Sequence, residues 1–449
     1  QGYSRRPARA NREDPFIRTR EAMYLLYSLL LGFGAALTSP YWLLKGVRER
    51  KYLSNFRQRL GLSLPARLQQ TRPLWIHAVS VGEVLAAKPL VKTLTSRCPA
   101  LPLVVSTVTV TGQALAIREF AGTASIIYFP FDWDFSVRRL LTRVGPRAVV
   151  LLETELWPNF LKNCSGAAIP VFLVNGRISD KSMRRYRRVR WFASRMIGSL
   201  DGIGAQTNED RNRMVELGAR EEGVSVTGNL KYDIAAPPID PDDELLHFVR
   251  AALGLGRDTP LIVVGSSMKD EERFFLDAFE ATRQRVPGAK LILAPRHPER
   301  FDEVAGLLAS RKFSFCRRSG CSSDPREHCD VLLLDTIGEL RRIYSLATIA
   351  VIGGSFLPCG GHNLLEPASL GKAVVFGPEM GNFREMAQLF LKRGAARQCP
   401  PGALAEVLAE LLEDERARAL LGERALLTFR DNQGATERTL RILHPHLSG

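Results

Sequence analysis

The sequence predicts an α/β protein made of two Rossmann-like, doubly wound lobes facing a cleft, preceded by an N-terminal membrane-anchor helix. Three observations carry this. First, the chain has 449 residues, more than one hydrophobic core usually serves, so two domains of about 200 residues each are natural. Second, short apolar runs alternate with helical patterns at residues 74–79, 103–106, 126–129, 148–152, 171–174 and 202–205. The alternation stops at 231–243, where Pro237, Pro238 and Pro241 stand among aspartates, and resumes at 261–264, 291–294, 331–334, 349–352 and 373–376. Strand alternating with helix builds a mostly parallel sheet, whose ligands bind beyond the carboxyl ends of the strands. Third, residues 23–44 carry no charged side chain, about the length of 20 residues needed to cross hydrocarbon.

Taken in order, the chain divides into a disordered leader at 1–22, an anchor helix at 23–46, a first Rossmann-like domain at 47–233, a linker at 234–258 and a second Rossmann-like domain at 259–449. The leader is rich in Arg and poor in apolar periodicity, and Met23 reads as the functional start. Gly32, Gly34, Ser39 and Pro40 dilute the apolar run, so a helix lying in one leaflet and a buried core helix both stand beside a spanning one. Arg48, Arg50, Lys51, Arg57 and Arg59 follow it and suit an anionic cytoplasmic headgroup surface.

The net charge of +15, from 62 Lys plus Arg against 47 Asp plus Glu, calls for an anionic partner. No zinc-finger spacing and no basic strand interleaved with aromatics is present, which sets nucleic acid behind lipid and phosphorylated substrates. Seven cysteines, an odd number without a disulfide framework, fit a reducing compartment. Cys316, Cys321, Cys329 and His328 lie close in sequence but lack a CxxC pair, a poor zinc pattern.

The chemistry-bearing residues fall at strand ends. In HAVSVGE, residues 77–83, Glu83 follows the first strand through a Gly82 turn where a helix begins. There it is either an ordinary first-turn capping carboxylate or a general base. LLETELWPN at 151–159 places Glu153 and Glu155 after another strand, on one face if the strand continues through them. Such carboxylates balance positive charge on a sugar ring during transfer, or form structural ion pairs with Arg. Lys231, in VTGNLKYD at 226–233, is a surface lysine or a counter-charge for a leaving phosphate. In the second half, Pro295 and Arg296 of APRHPERF end a strand, where Arg suits a bidentate phosphate contact. Gly338 and Glu339 of DTIGEL, the glycines at 353–354 and 360–361, and the stretch Asn363 to Glu366 offer backbone NH groups and a carboxylate for phosphate and ribose. A GxxxxGK[ST] loop is absent, as is GxGxxG after the first strand, which disfavours triphosphate hydrolysis and NAD binding.

These motifs, in this order from about Met23 to the carboxyl end, resemble the bacterial 3-deoxy-D-manno-octulosonic acid (Kdo) transferases. The resemblance implies an inverting glycosyltransferase of the GT-B fold at the cytoplasmic face of the cell inner membrane, moving Kdo from CMP-Kdo to the lipid A precursor, lipid IVA. It implies Glu83 as general base and Glu153 and Lys231 as stabilisers of the transition state. Nucleotide binding then falls to Pro295, Arg296, Ile337, Gly338, Glu339, Asn363, Leu364, Leu365 and Glu366. Its expected partners are CMP-Kdo, the precursor glycolipid and anionic lipids, without nucleic acid, cofactor or metal. Two other readings stand beside it: a GT-B enzyme of another nucleotide sugar, and a catalytically silent membrane-bound anion-binding scaffold.

Overall fold

The computed structural model describes residues 15–48, 55–65, 68, 71–233, 240, 242–320 and 328–447, with side chains in the first helix from position 23 to 39. The chain forms two compact units, Gln1–Ile234 with Gly434–Gly449, and Ala235–Gln433.

The first unit is built on a seven-stranded parallel sheet. Its strands are β1 (Leu74–His77), β2 (Leu103–Thr107), β3 (Ser125–Tyr128), β4 (Ala148–Leu152), β5 (Val171–Gly176), β6 (Gly202–Ala205) and β7 (Val224–Val226), in the order β3-β2-β1-β4-β5-β6-β7. Strands β1, β2, β4, β5 and β6 are buried on both faces, which is why they read as continuous rather than alternating apolar runs. One face packs Trp75 against Phe129 and Phe160, with the indole NH satisfied by Ser106 Oγ at 2.7 Å. Burying such a side chain contributes roughly 2–3 kcal/mol. The direction of strand addition reverses between β1 and β4, and ligands of open α/β sheets bind beyond the strand ends at such a reversal.

The second unit repeats the plan with β8 (Leu261–Ser267), β9 (Lys290–Pro295), β10 (Phe315–Arg317), β11 (Val331–Leu333), β12 (Ile349–Ile352), β13 (Ala373–Phe376) and β14 (Arg397–Gln398). Their order is β10-β11-β9-β8-β12-β13-β14, all neighbours parallel, with the reversal between β8 and β12. The pairing of β8 with β9 shifts register between Gly265 and Ser267, and at Gly265 a Cβ would lie 1.8 Å from the phenolic oxygen of Tyr344, so only glycine fits there.

Three expected boundaries differ. Helix Pro15–Arg48 begins inside the expected leader; residues 1–14 lie outside the described set. The expected linker 234–258 holds a helix, Glu244–Leu253, whose amino terminus is capped by Asp243 and whose Leu245, Phe248, Val249 and Leu253 enter the core of the second unit. Pro237, Pro238 and Pro241 lie outside the described residues. The carboxyl-terminal residues 434–449 belong to the first unit, not the second. Helix Ala435–Leu443 returns there because the Asp233 carboxylate accepts from Gly434 N at 2.7 Å and from Thr436 N, while Leu440 and Leu443 pack with Val105 and Leu230.

Among the described residues no helix is long and apolar enough to cross a membrane. Helix Pro15–Arg48 buries Met23 and Tyr24 and leaves Leu25, Leu26, Leu29, Leu30, Phe33 and Leu37 exposed. Of the basic run behind it, the side chains of Arg48, Arg50 and Lys51 lie outside the described residues. Arg59 turns inward, its guanidinium over the rings of Tyr128 and Phe131 at 4.9 and 5.5 Å and bonded to the Val108 carbonyl.

Candidate functional site

The first cluster lies at the β1/β4 reversal. Beyond β1 the chain turns through residues 78–80 into helix Val81–Arg97, with extended Ser80 at the N-cap. Ser80 makes no cap bond of its own; its hydroxyl donates to Glu83 at 3.0 Å, and Val79 N donates to the other carboxylate oxygen at 2.8 Å. Glu83 therefore does take up a backbone NH at the helix entrance, as a capping residue would, and is 6% exposed. Burial pushes its carboxyl up, the Glu153 and Glu155 charges add to this, and the Val79 and Ser80 bonds oppose it, leaving it at about 7. A carboxyl poised there exchanges protons near neutrality.

Strand β4 ends at Leu152, so it does not continue through the two carboxylates as the sequence reading allowed. Glu153 instead adopts left-handed backbone, φ +57°, with its N–H on the Val174 carbonyl at 3.0 Å. Such backbone costs a non-glycine residue on the order of 1 kcal/mol, and strain of this kind gathers at functional sites. Its carboxylate meets Lys231 Nζ at 3.4 Å and Arg177 Nε at 4.0 Å. Glu153 thus stands in an ion pair whose nearer partner is Lys231, itself a predicted site residue, rather than an Arg. Lys231 sits in the turn Leu230–Asp233, anchored by Leu230 N on Asn175 Oδ1 and Lys231 N on Asn229 Oδ1, both at 3.0 Å. Glu155 is raised by burial and by the Glu153 charge. His77, fully buried and stacked on Phe129 at 3.8 Å, is pushed down to about 3 by burial, so it is a neutral packing residue.

The remaining predicted residues end or follow strands β9, β11 and β12 of the second unit, and the Arg296 charge reaches Glu366. Pro295 ends β9, and Arg296 holds its N–H on the Ser267 carbonyl at 2.9 Å with its side chain exposed. Ile337 is exposed, Gly338 takes φ +90°, and the Glu339 carboxylate receives Thr336 Oγ1 and Arg318, the latter at 3.2 Å. Asn363 accepts from Leu365 N at 3.0 Å and donates to Glu366 at 3.3 Å. Leu364 and Leu365 turn their side chains into the core, so only their backbone is left for a ligand. Burial raises the Glu366 carboxyl, against the opposing pull of Arg341, Asn363 and Arg296. His362 is pushed down to about 4 by burial, with Arg296 and His297 adding to it, and is neutral at physiological pH.

Sequence reasoning missed Glu271. It opens helix Glu271–Arg285 after β8, the counterpart of Glu83 after β1, and is completely buried. Its carboxylate accepts from Met268 N at 2.9 Å, Gly354 N at 2.6 Å and Phe356 N at 3.1 Å, fixing the glycine turn behind β12. Gly354 has φ +67° and leaves no room for a Cβ beside His362, 2.9 Å away. Three backbone donors hold Glu271 in a structural role, whereas Glu83 has only one backbone donor and one hydroxyl and keeps more acceptor capacity. The signal was available: an acidic residue opening the helix behind each unit's first strand.

A solved structure of UDP-GlcNAc 2-epimerase from Neisseria meningitidis bound to UDP-GlcNAc has the same two-unit fold, with a TM-score of 0.57 over 83% of this chain and 100% of that one. At 12% identity that likeness is one of fold alone, and it places the chain in the GT-B class. The family model for 3-deoxy-D-manno-octulosonic-acid transferase (kdotransferase) matches residues 54–234. The 3-deoxy-D-manno-octulosonic acid transferase of Haemophilus influenzae is 34% identical over 407 residues, 90% of this chain and 94% of that protein. That of Bordetella pertussis is 36% identical over 398 residues, 87% and 90% respectively. The chain belongs to the Kdo transferase family and is a glycosyltransferase.

Proposed function

We propose that the protein transfers Kdo from CMP-Kdo to the lipid A precursor, lipid IVA, at the cytoplasmic face of the inner membrane, with inversion at the anomeric carbon and Glu83 as general base. The observation that carries this is the Glu83 carboxyl, held by Val79 N and Ser80 Oγ and raised to about 7 by its burial. Ionised, it takes the proton from a primary hydroxyl of the acceptor glucosamine as that oxygen attacks; CMP leaves from the opposite face of the sugar. Glu153 and Lys231 stabilise the charge that develops. In the second unit Arg296, the turn around Gly338 and Glu339, and the backbone and carboxylate of Asn363 to Glu366 hold CMP. The kinship with named Kdo transferases of Haemophilus and Bordetella supports the sugar transferred.

General-base assistance contributes roughly 100-fold to 10,000-fold. Glu83→Gln should lower turnover by that factor while CMP affinity, measured by calorimetry, is unchanged; retention of more than half the activity would overturn the assignment. The reaction itself is read by mass spectrometry of lipid IVA incubated with the protein and CMP-Kdo generated in situ. A monophosphate leaving group presents no diphosphate for a metal to bridge, so turnover in excess EDTA should equal that without it.

A further inference from the structure

The cysteine-rich segment of the second unit finds no use in sugar transfer. Among the described residues no group of three His, Cys, Asp or Glu is placed to hold a metal ion. His328 is bonded through Nδ1 to the Ala251 carbonyl at 2.9 Å, and Cys321 lies outside the described residues. What the fold brings together is Cys316, in edge strand β10, and Cys329, two residues before β11. Their sulfurs stand 2.6 Å apart, inside van der Waals contact. Cys329 is 5% exposed and bonded to Ala252 O through both its N–H, at 2.9 Å, and its thiol, at 3.3 Å. Cys316 is half-buried.

We propose that Cys316 and Cys329 form a thiol redox site, closed to an intrachain disulfide by low-molecular-weight disulfides of the glutathione class. The half-buried Cys316 thiolate attacks one sulfur of the oxidant, forming a mixed disulfide and releasing one equivalent of reduced thiol. The Cys329 thiolate then attacks the Cys316 sulfur and releases the second equivalent. The protein loses two protons and two electrons, and both are accounted for in the two small thiols formed. In the reduced pair the Cys316 thiol favours the Cys329 thiolate against its burial; once Cys316 is held in the mixed disulfide, the ammonium of Lys290, on the Cys329 carbonyl at 3.0 Å, still favours it.

Closure has a structural consequence. Directly after Cys316, Arg317 Nε bonds Asp335 at 2.7 Å, Arg318 bonds Glu339 at 3.2 Å, and Ser319 N bonds Asp335 at 2.8 Å. The disulfide therefore ties down the segment that braces residues 335–339. Whether this alters CMP binding rests on the function proposed above; the chemistry at the two sulfurs does not.

The test oxidises the full chain with glutathione disulfide, blocks remaining thiols with an alkylating reagent and maps the peptides by mass spectrometry. The expected result is a 316–329 cross-linked peptide lighter by about 2 Da than the two thiol peptides, reversed by reductant. Cys329→Ser should instead accumulate a glutathione adduct on Cys316. Cys316 left as a stable adduct in the unaltered protein, or Cys321 captured in the bond in place of either partner, would overturn the proposal. Amide hydrogen exchange at 317–320 and 335–339 should slow in the oxidised protein; unchanged exchange would overturn the bracing consequence.

Discussion

Glu83 has two measurable properties with one cause. Because burial holds its proton up to about 7 instead of 4.5, the base is half ionised near neutrality, and kcat/KM should climb with pH through that region before levelling off. A pH-rate profile flat from pH 5.5 to 8 in the active protein would remove Glu83 from the proton transfer. Linkage fixes the sign for stability as well. A folded carboxyl that holds its proton more tightly than the unfolded one favours folding below the unfolded pKa; that advantage is lost as pH rises from about 4.5 to about 7, and above this the charged, buried group bears the full cost. The difference is on the order of 2 kcal/mol once partial solvent screening is allowed for. Glu83→Gln should therefore be more thermostable than the unaltered protein at pH 8 and indistinguishable from it near pH 4.5, as thermal unfolding at the two pH values would reveal. Locally, a capping carboxylate and a base were both open from the sequence; the structure puts the Val79 N–H on that carboxylate and raises its pKa to about 7, and the pH-rate profile separates the two roles. Glu153 was legible as a strand-end acid, but its left-handed backbone was not, since nothing in LLETELWPN marks where the sheet stops. Leu364 and Leu365 matched motif positions although their side chains serve the core.

Strands buried on both faces were readable from their apolar runs, and eleven predicted runs correspond to observed strands within a few residues. The three strands missed, β7, β10 and β14, are all sheet edges. Val224–Val226 buries one residue of three, Phe315–Arg317 is only half-buried and Arg397–Gln398 is exposed, so none carries the hydrophobic signal on which strand recognition depends. One helix start was harder for another reason: its most consequential contacts are with distant backbone. Glu271 illustrates this, since its partners Gly354 and Phe356 lie more than 80 residues away along the chain. Removing that carboxylate leaves three donors in a closed space, and a buried donor left unpaired costs about 1–3 kcal/mol. Glu271→Ala should destabilise the protein by roughly 3–5 kcal/mol after partial rehydration, read by denaturant unfolding of the second-unit transition. It should also weaken CMP binding, because the 353–356 turn loses its brace. A loss below about 1 kcal/mol would mean that the turn is held by its glycine geometry alone.

On the scale of the whole chain, the two-unit plan followed from length and from the proline pause, but the return of residues 434–449 to the first unit did not. Its cause is a set of pairings distant in sequence, Asp233 with Gly434 and Thr436, Arg438 Nε with the Thr227 carbonyl at 2.7 Å and Arg97 with Glu437, none of which has a local signature. The first helix bears on how the protein would meet the glycolipid acceptor proposed above. Helix Pro15–Arg48 is fastened by specific polar contacts on one side, Tyr27 Oη to Asp132 at 3.0 Å and Asn159 Nδ2 to Ser28 Oγ at 3.0 Å, with Tyr24 and Tyr27 against Phe192. On its other side Leu25, Leu26, Leu29, Leu30, Phe33 and Leu37 are 55–71% exposed. A helix held along one flank with an apolar stripe along the other suits the interface of a leaflet, where each large side chain buried would contribute roughly 1–2 kcal/mol. We therefore expect the full chain to float with vesicles containing anionic lipid, and Leu29→Glu with Phe33→Glu to leave it in the soluble fraction. Activity on a water-soluble, deacylated acceptor should be unchanged in that double variant, because such an acceptor does not require the chain to be attached to a bilayer. Flotation of the double variant to the same extent as the unaltered protein would show that this stripe does not carry any attachment to lipid.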